Sequence, residues 1–317
     1  MYDAASQKNT NYGGGGVFNR LAFGSAALLA LAPAFAQQQD FSAARIETHQ
    51  LTPNLFMLEL IGEGAGNIAL STGTDGSVLV DTQFAPLNAK ILAAVRAARG
   101  SDVKYVINTH WHGDHTGGNE PLGQAGAVII AHDNVLARMS TEQFMAAFNQ
   151  RVPPSPAAAL PVVTFPSRTT FRLNGDVLQI VHVENAHTDG DSIVHFTNAN
   201  VIHTGDTYMK DVYPFIDVSS NGSIDGFIAS ADAVLSRSDA NTKIIPGHGA
   251  LANKADMQRF HDMLVAVRGK IQALIDAGMS EDEVFAAGPT AEFDAAWGKG
   301  FMTPENFTRF SYQSLKK

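Results

Sequence analysis

Residues 110–118 read His-Trp-His-Gly-Asp-His-Thr-Gly-Gly, placing three imidazoles and a carboxylate within six positions. Imidazole and carboxylate are the side chains a zinc ion takes when no thiolate is offered, and this chain has no cysteine at all. The run before them, Val103-Lys-Tyr-Val-Ile-Asn-Thr109, is β-branched and aromatic and reads as a buried strand that delivers the cluster to its C-terminal end. The i, i+2 spacing of His110 and His112 turns both rings to one side of an extended chain. Beyond the turn at Gly113, Asp114 and His115 face a second point nearby, so one segment supplies parts of two metal sites. Two adjacent metals suggest hydrolysis. A solvated loop explains any single histidine here, but not four ligand-type side chains packed into six positions at a strand end.

Two metals need more ligands than one segment holds, and the same grammar of apolar strand followed by a polar residue recurs three times. The run 177–183 leads to His187, 201–204 leads to Asp206, and 242–246 leads to His248. Glycines beside Asp206 and His248 let the backbone turn sharply there.

With these pieces assembled, the chain resembles the metallo-β-lactamase superfamily over roughly residues 50–275, on the full His-x-His-x-Asp-His motif and the later His187, Asp206 and His248 in the family's order. The resemblance implies that His110, His112 and His187 hold one zinc, that Asp114, His115 and His248 hold the other, and that Asp206 bridges them. It also matches Asp81, at the end of the apolar run 76–80, to a position that orients a ligand histidine. His at position 112, where diiron redox relatives carry Glu, favours a zinc hydrolase. Asp at position 206, where many true β-lactamases carry Cys, is typical of lactonase, glyoxalase II and phosphodiesterase branches.

The expected activity is hydrolysis: a hydroxide held between two zinc ions attacks a carbonyl, with Asp114 orienting it, in a cyclic amide or ester (a β-lactam or a lactone). A thioester hydrolase of glyoxalase II type is the alternative, and a non-catalytic zinc-binding module the alternative from another class. Tyr208, Lys210 and Tyr213 follow the bridging Asp and are candidates to contact a substrate carbonyl or carboxylate. Of the remaining histidines, His182, His195 and His203 sit in apolar runs and read as core or supporting residues, whereas His49, His132 and His261 read as surface. Asp189 and Asp191 lie in a turn rich in Asp and Gly that needs no metal, and carry no assignment.

At 317 residues and 45% apolar content the chain can bury a large core. Its net charge of −9, with Lys and Arg scattered, leaves no basic stripe for nucleic acid and points to a small-molecule substrate. The coarse order is a strand-rich first half with a helix near 88–99, a helical stretch from 134 to about 150, and a proline-rich loop at 152–161. The second half repeats the theme, with helices near 225–236 and 254–277 and a helical extension from about 278. Two similar strand-helix halves imply two sheets face to face with helices outside. The resemblance names this α/β arrangement a four-layer αββα sandwich. The segment 139–160 is long enough to cover the cleft.

The N-terminus has a separate task. The run 21–32 is apolar, follows Arg20, and is too short to span a bilayer; Ala34-Phe35-Ala36 has the small-x-small form of a signal-peptidase site. Residues 1–36 are therefore expected to be a signal peptide, with an unusual stretch at 1–16, leaving a single domain over 37–317 in the periplasm or secreted and without stable membrane insertion. An oxidising compartment suits a chain without cysteine.

Overall fold

A computed structural model describes residues 40–61 and 66–317; the signal peptide expected at 1–36 lies outside the described residues. The chain opens with β1 (Arg45–Thr52), β2 (Leu55–Ile61), β3 (Ile68–Ser71) and β4 (Ser77–Val80), paired antiparallel in that order. After α1 (Asn88–Ala97), β5 (Val103–Ile107) joins β4 in parallel. Two short helices, α2 (Gly113–Thr116) and α3 (Asn119–Gln124), lead to β6 (Val128–His132), parallel to β5. Then come α4 (Asp133–Met139), a two-stranded ribbon of β7 (Gln143–Met145) and β8 (Gln150–Val152), and β9 (Val163–Phe165), which closes the seven-stranded sheet beside β6. The second sheet runs in sequence order through β10 (Arg168–Leu173), β11 (Asp176–His182), β12 (Ser192–Phe196), β13 (Val201–His203), β14 (Lys243–Ile245) and β15 (Ala252–Asn253), with β13 and β14 parallel.

Successive side chains of a strand point to opposite faces, so apolar runs without alternation bury both. Leu55 and Met57 of β2, with Ile107 and Ile130, meet Leu178, Ile180, Val194, Phe196 and Ile245 of the other sheet. Phe56, Leu58 and Leu60 face outward with Val106 and Ile129, onto Ile91 and Val95 of α1 and Leu122 of α3. On the far side, Ile193, Ile202 and Ile244 pack against α5 (Ile224–Ser236) and α6 (Lys254–Asp276) through Phe227, Val234, Phe260 and Leu264. The result is the four-layer αββα sandwich. Helices α7 (Glu281–Ala286), α8 (Asp294–Trp297) and α9 (Pro304–Leu315) continue the outer layer, where Trp297 and Phe307 are buried. The long α6 starts at a capping box, in which Asn253 and Asp256 each bond the other's backbone N–H, a device worth about 1 kcal/mol. Among the described residues no helix is long and apolar enough to cross a membrane.

One element differs from the sequence reading. The helix expected from 134 to about 150 ends at Met139, and residues 143–152 form the ribbon instead. Ser140 and Thr141 turn their hydroxyls back onto the carbonyls of Leu136 and Ala137, satisfying the last turn. Asn149, in the left-handed region at φ 47°, then closes the ribbon's tip.

Candidate metal centre

Strand β5 delivers the motif to the edge where the two sheets meet. His110 follows in a bend and His112 in extended backbone, and α2 then winds Asp114 and His115 to the other side, with the N–H groups of His115 and Thr116 both donating to the His112 carbonyl at 3.0 Å. The β11–β12 loop adds His187, the end of β13 adds Asp206 and the end of β14 adds His248. All seven come together in two groups. His110, His112 and His187 form one; Asp114, His115, Asp206 and His248 form the other, with candidate ligand atoms inside each group within 4.8 Å of one another. Asp206 lies between them: Oδ1 is 3.1 Å from His115 Nε2, and Oδ2 is 3.2 Å from His248 Nε2 and 3.7 Å from His187 Nε2.

The imidazoles of His115, His187 and His112 are each held by the nitrogen they do not present. His115 Nδ1 bonds Asp81 Oδ2 at 2.8 Å, and Asp81 is fixed in turn by the N–H and hydroxyl of Thr109 at 2.8 and 2.7 Å. His187 Nδ1 donates to the Phe215 carbonyl at 2.6 Å, so its Nε2 faces the cluster. His112 presents Nδ1, 2.8 Å from His187 Nε2, while its Nε2 meets Asp217 Oδ2 at 3.1 Å. The other oxygen of Asp217 accepts from the Ser219 and Ser220 N–H groups and from the Ser219 hydroxyl. Asn67 ties down the loop carrying His248, donating from its amide to the Pro246 and Gly249 carbonyls at 2.9 and 2.8 Å. Gly247 is required here: a Cβ would strike Asp206 Oδ1 and the Gly205 carbonyl.

The donor set fits a metal. His110 Nε2, His115 Nε2 and Asp206 Oδ1 are buried and have no hydrogen-bond partner, although buried polar atoms are otherwise almost always paired. Their electrostatics divide the same way. Burial, reinforced by the neighbouring His115 and His187, drives His110 well below the usual imidazole range. Burial and His112 lower His187 to about 4. These are neutral rings, the state a metal binds. Burial also disfavours charge on His115 and His248, but the carboxylates of Asp206 and Asp114 outweigh it, with Asp81 adding to the effect at His115. They raise His115 well above its usual value and His248 to about 10. The second group is therefore a field built for positive charge. Asp114 and Asp206 stay ionised against burial because His115 and His248 face them.

Three sequence candidates fall elsewhere. Tyr208 and Tyr213 are fully buried, Tyr208 against Phe260, and Tyr213 stacked on Phe307 with its hydroxyl on Asp294. Lys210 donates to the Leu251 carbonyl and lies 3.5 Å from Asp256. None of the three makes a side-chain hydrogen bond or ion pair with the seven: Gly247 N–H donates to the Tyr208 carbonyl and Lys210 N–H to the His248 carbonyl, so the backbone runs beside the His248 turn while the side chains point away, Tyr208 and Lys210 toward α6 and Tyr213 toward α9. His132 is also not on the surface: it is buried and stacked on His182 at 3.7 Å, and its Nδ1 caps α4. His203 is buried between Asn67 and Gly205. Asp191 accepts from the backbone of His187 and Thr188, and Asp189 pairs with Arg138, so both shape the His187 loop. The sequence reading missed Asp217 and Thr109. Asp217 ends the apolar run Phe215-Ile216 just as Asp206 ends its own strand, and that repetition was the available signal.

The profile of the Metallo-beta-lactamase superfamily matches residues 61–250, and the chain belongs to that family. It is 28% identical over 169 residues to a lactamase-like protein, aptB, of Emericella nidulans, covering 51% of this chain and 48% of that one. It is 25% identical over 177 residues to a hydroxyacylglutathione hydrolase of a Polaromonas species, covering 53% of this chain and 57% of the relative. The chain thus spans about half the length of these relatives. Among solved structures, a metallo-β-lactamase from Pontibacter korlensis aligns with TM-score 0.55 and 19% identity, covering 69% of this chain and 99% of that one. The FIM-1 enzyme from Pseudomonas aeruginosa, in a mono-zinc form, aligns with TM-score 0.55 and 20% identity over 69% of this chain and 95% of its own. These likenesses concern the fold.

Proposed function

We propose that the chain is a hydrolase dependent on two zinc ions, the first held by His110, His112 and His187, the second by Asp114, His115 and His248, with Asp206 shared between them. The observation that carries this reading is the convergence of partnerless, buried Nε2 and Oδ1 atoms on two adjacent points. Bound zinc supplies a water whose pKa falls from 15.7 toward about 7 and polarises a carbonyl oxygen. The residues do the rest. Asp81 and Asp217 keep His115 and His112 in one tautomer and one orientation. Asp114, kept ionised by His115 and His248, would orient the attacking water from its place beside the second metal.

The site is open on one side. Asp114 and His248 are 19% and 23% exposed, whereas His110, His112, His115, His187 and Asp206 are buried. A structural zinc site is closed by protein ligands, so this opening favours catalysis over a non-catalytic module. The substrate is a small molecule with a cyclic ester or amide, a lactone or a β-lactam. Thioester hydrolysis is the second reading, favoured by Asp at position 206 and by the relative named a hydroxyacylglutathione hydrolase. A panel of lactone, β-lactam and thioester, assayed with and without chelator, tests both; chelator-insensitive turnover, or no turnover by zinc-loaded protein, overturns the reading. We also infer export after cleavage following Ala36, which N-terminal sequencing of periplasmic protein checks: a mature chain should begin at Gln37.

A further inference from the structure

The ribbon β7–β8 carries an aromatic ring toward the metal centre. Phe148, at its tip, is 50% exposed and lies edge-on to Phe215 at 5.3 Å. Phe301, from the α8–α9 connection, is 57% exposed and meets the same ring from another element at 6.3 Å. Phe215 itself is buried, stacks over His112 at 6.1 Å, and approaches His187 at 5.5 Å, while its carbonyl holds His187 Nδ1. Aromatic contacts through the buried Phe215 therefore link two imidazoles of the first metal group to two exposed rings at the rim. The ribbon is anchored in this position, because Ala146 N–H donates to the Ser219 hydroxyl, and Ser219 in turn bonds the Asp217 that holds His112. The arginines beside it are already committed, Arg138 to Asp189 and Arg151 to Glu142, so this side of the rim offers apolar surface and no free guanidinium.

We propose that Phe148 and Phe301, backed by Phe215, form a subsite for an alkyl or aryl substituent carried by the substrate next to its scissile carbonyl. The proposal rests on the hydrolase reading and narrows it to substrates with an apolar arm. Two large exposed rings packed on one buried ring beside the metal group are costly to leave in water, and the apolar arm of a substrate held at that group is the occupant their chemistry and position suit.

The test is a chain-length series. Lactones or thioesters with tails of two to eight carbons are assayed on zinc-loaded full-length protein, with F148A, F301A, the double variant, and V265A on the exposed face of α6 as control. Each added methylene should raise kcat/KM of the parent about twofold to threefold, short of the roughly fourfold of complete burial. In the double variant that slope should flatten, whereas V265A should keep the parent's slope and its activity on the shortest substrate. Calorimetric binding of the corresponding straight-chain carboxylates to the same proteins gives a readout free of turnover. A length dependence lost in the double variant supports the subsite even where no ester is cleaved, which separates this proposal from the activity. Affinity and rate indifferent to tail length in the parent overturn it. So does a concentration-dependent dimer that the double variant dissolves, since the rings then serve a second copy of the chain.

Discussion

Replacing Asp206 by asparagine keeps the side chain's shape and removes its charge. Three imidazole nitrogens, of His115, His248 and His187, lie 3.1, 3.2 and 3.7 Å from its oxygens; those of His115 and His248 need an acceptor there without metal, and all three would share a cation with it when metal is bound. An amide offers one oxygen instead of two, so whichever way the substituted side chain turns, an NH2 faces at least one of these rings. The loss should therefore fall on at least one metal and on the reaction together, at least two orders of magnitude in kcat/KM, or about 2.7 kcal/mol. The contrasting variant is His203→Ala, three residues earlier. His203 is fully buried, accepts from the Gly205 N–H and meets the Asn67 carbonyl, so its removal opens a cavity and strands two backbone groups at about 2–4 kcal/mol of stability. Its metal content should stay close to that of the parent. Metal analysis, steady-state kinetics and thermal unfolding of both proteins decide the matter. If Asp206→Asn keeps both metals and full activity while His203→Ala loses them, the ligand assignment on that strand is wrong.

Asp217→Ala should lower metal affinity 10- to 100-fold with the fold retained, because His112 loses the carboxylate that fixes its Nε2; competition with a chromophoric chelator measures it. Gly247→Ala should cripple metal binding more than Gly269→Ala on α6, since a Cβ at 247 meets Asp206 and the Gly205 backbone and one at 269 meets nothing; metal content of the two variants compares them. Filling the second group at pH 7 should release a proton from His248, whose folded pKa is raised to about 10, and one from His115, which the carboxylates of Asp206 and Asp114 raise well above its usual value, whereas His110 and His187 are lowered and have none to give. Calorimetry in buffers of different ionisation heat counts these protons. The same shifts govern the metal-free protein: stability held by protonated His248 is complete below about pH 6.5 and lost as pH rises through 10, and the Asp191 carboxyl, pushed by burial to about 8, acts in the same direction. Its Tm should accordingly fall from pH 7 to 10, and a Tm rising over that range contradicts the assignment of these protons.

The sequence carried most of the site because each ligand ends an apolar strand, and both signals are local. Strands β3, β4, β6, β12 and β13 bury nearly all side chains on both faces, so their apolar runs are legible without partners, while β5 and β11 remain legible although Lys104 and Gln179 interrupt them. Strand β1 is not: Arg45–Thr52 lies at an edge with mostly polar, half-exposed side chains, and only its pairing with β2 makes it a strand. The ribbon at 143–152 was hidden because its residues have acceptable helix propensity, and the choice was made by the local end of α4 and by docking on Ser219. Tyr208, Lys210 and Tyr213 show the other limit. Proximity in sequence to Asp206 says nothing of which way the chain turns, and burial against Phe260 and Phe307 is a tertiary fact. Asp217 shows it too, since its meeting with His112 joins positions far apart in the chain.

The central claim, two metals acting together on a carbonyl, is tested most directly by titrating metal-free, full-length protein with zinc while the rate of lactone or thioester hydrolysis is followed. Binding should saturate at two equivalents per chain, and activity should rise with it, be abolished by chelator and be restored by zinc. Two bound equivalents with no turnover of any ester, lactam or thioester, or no uptake of zinc at all, would contradict it.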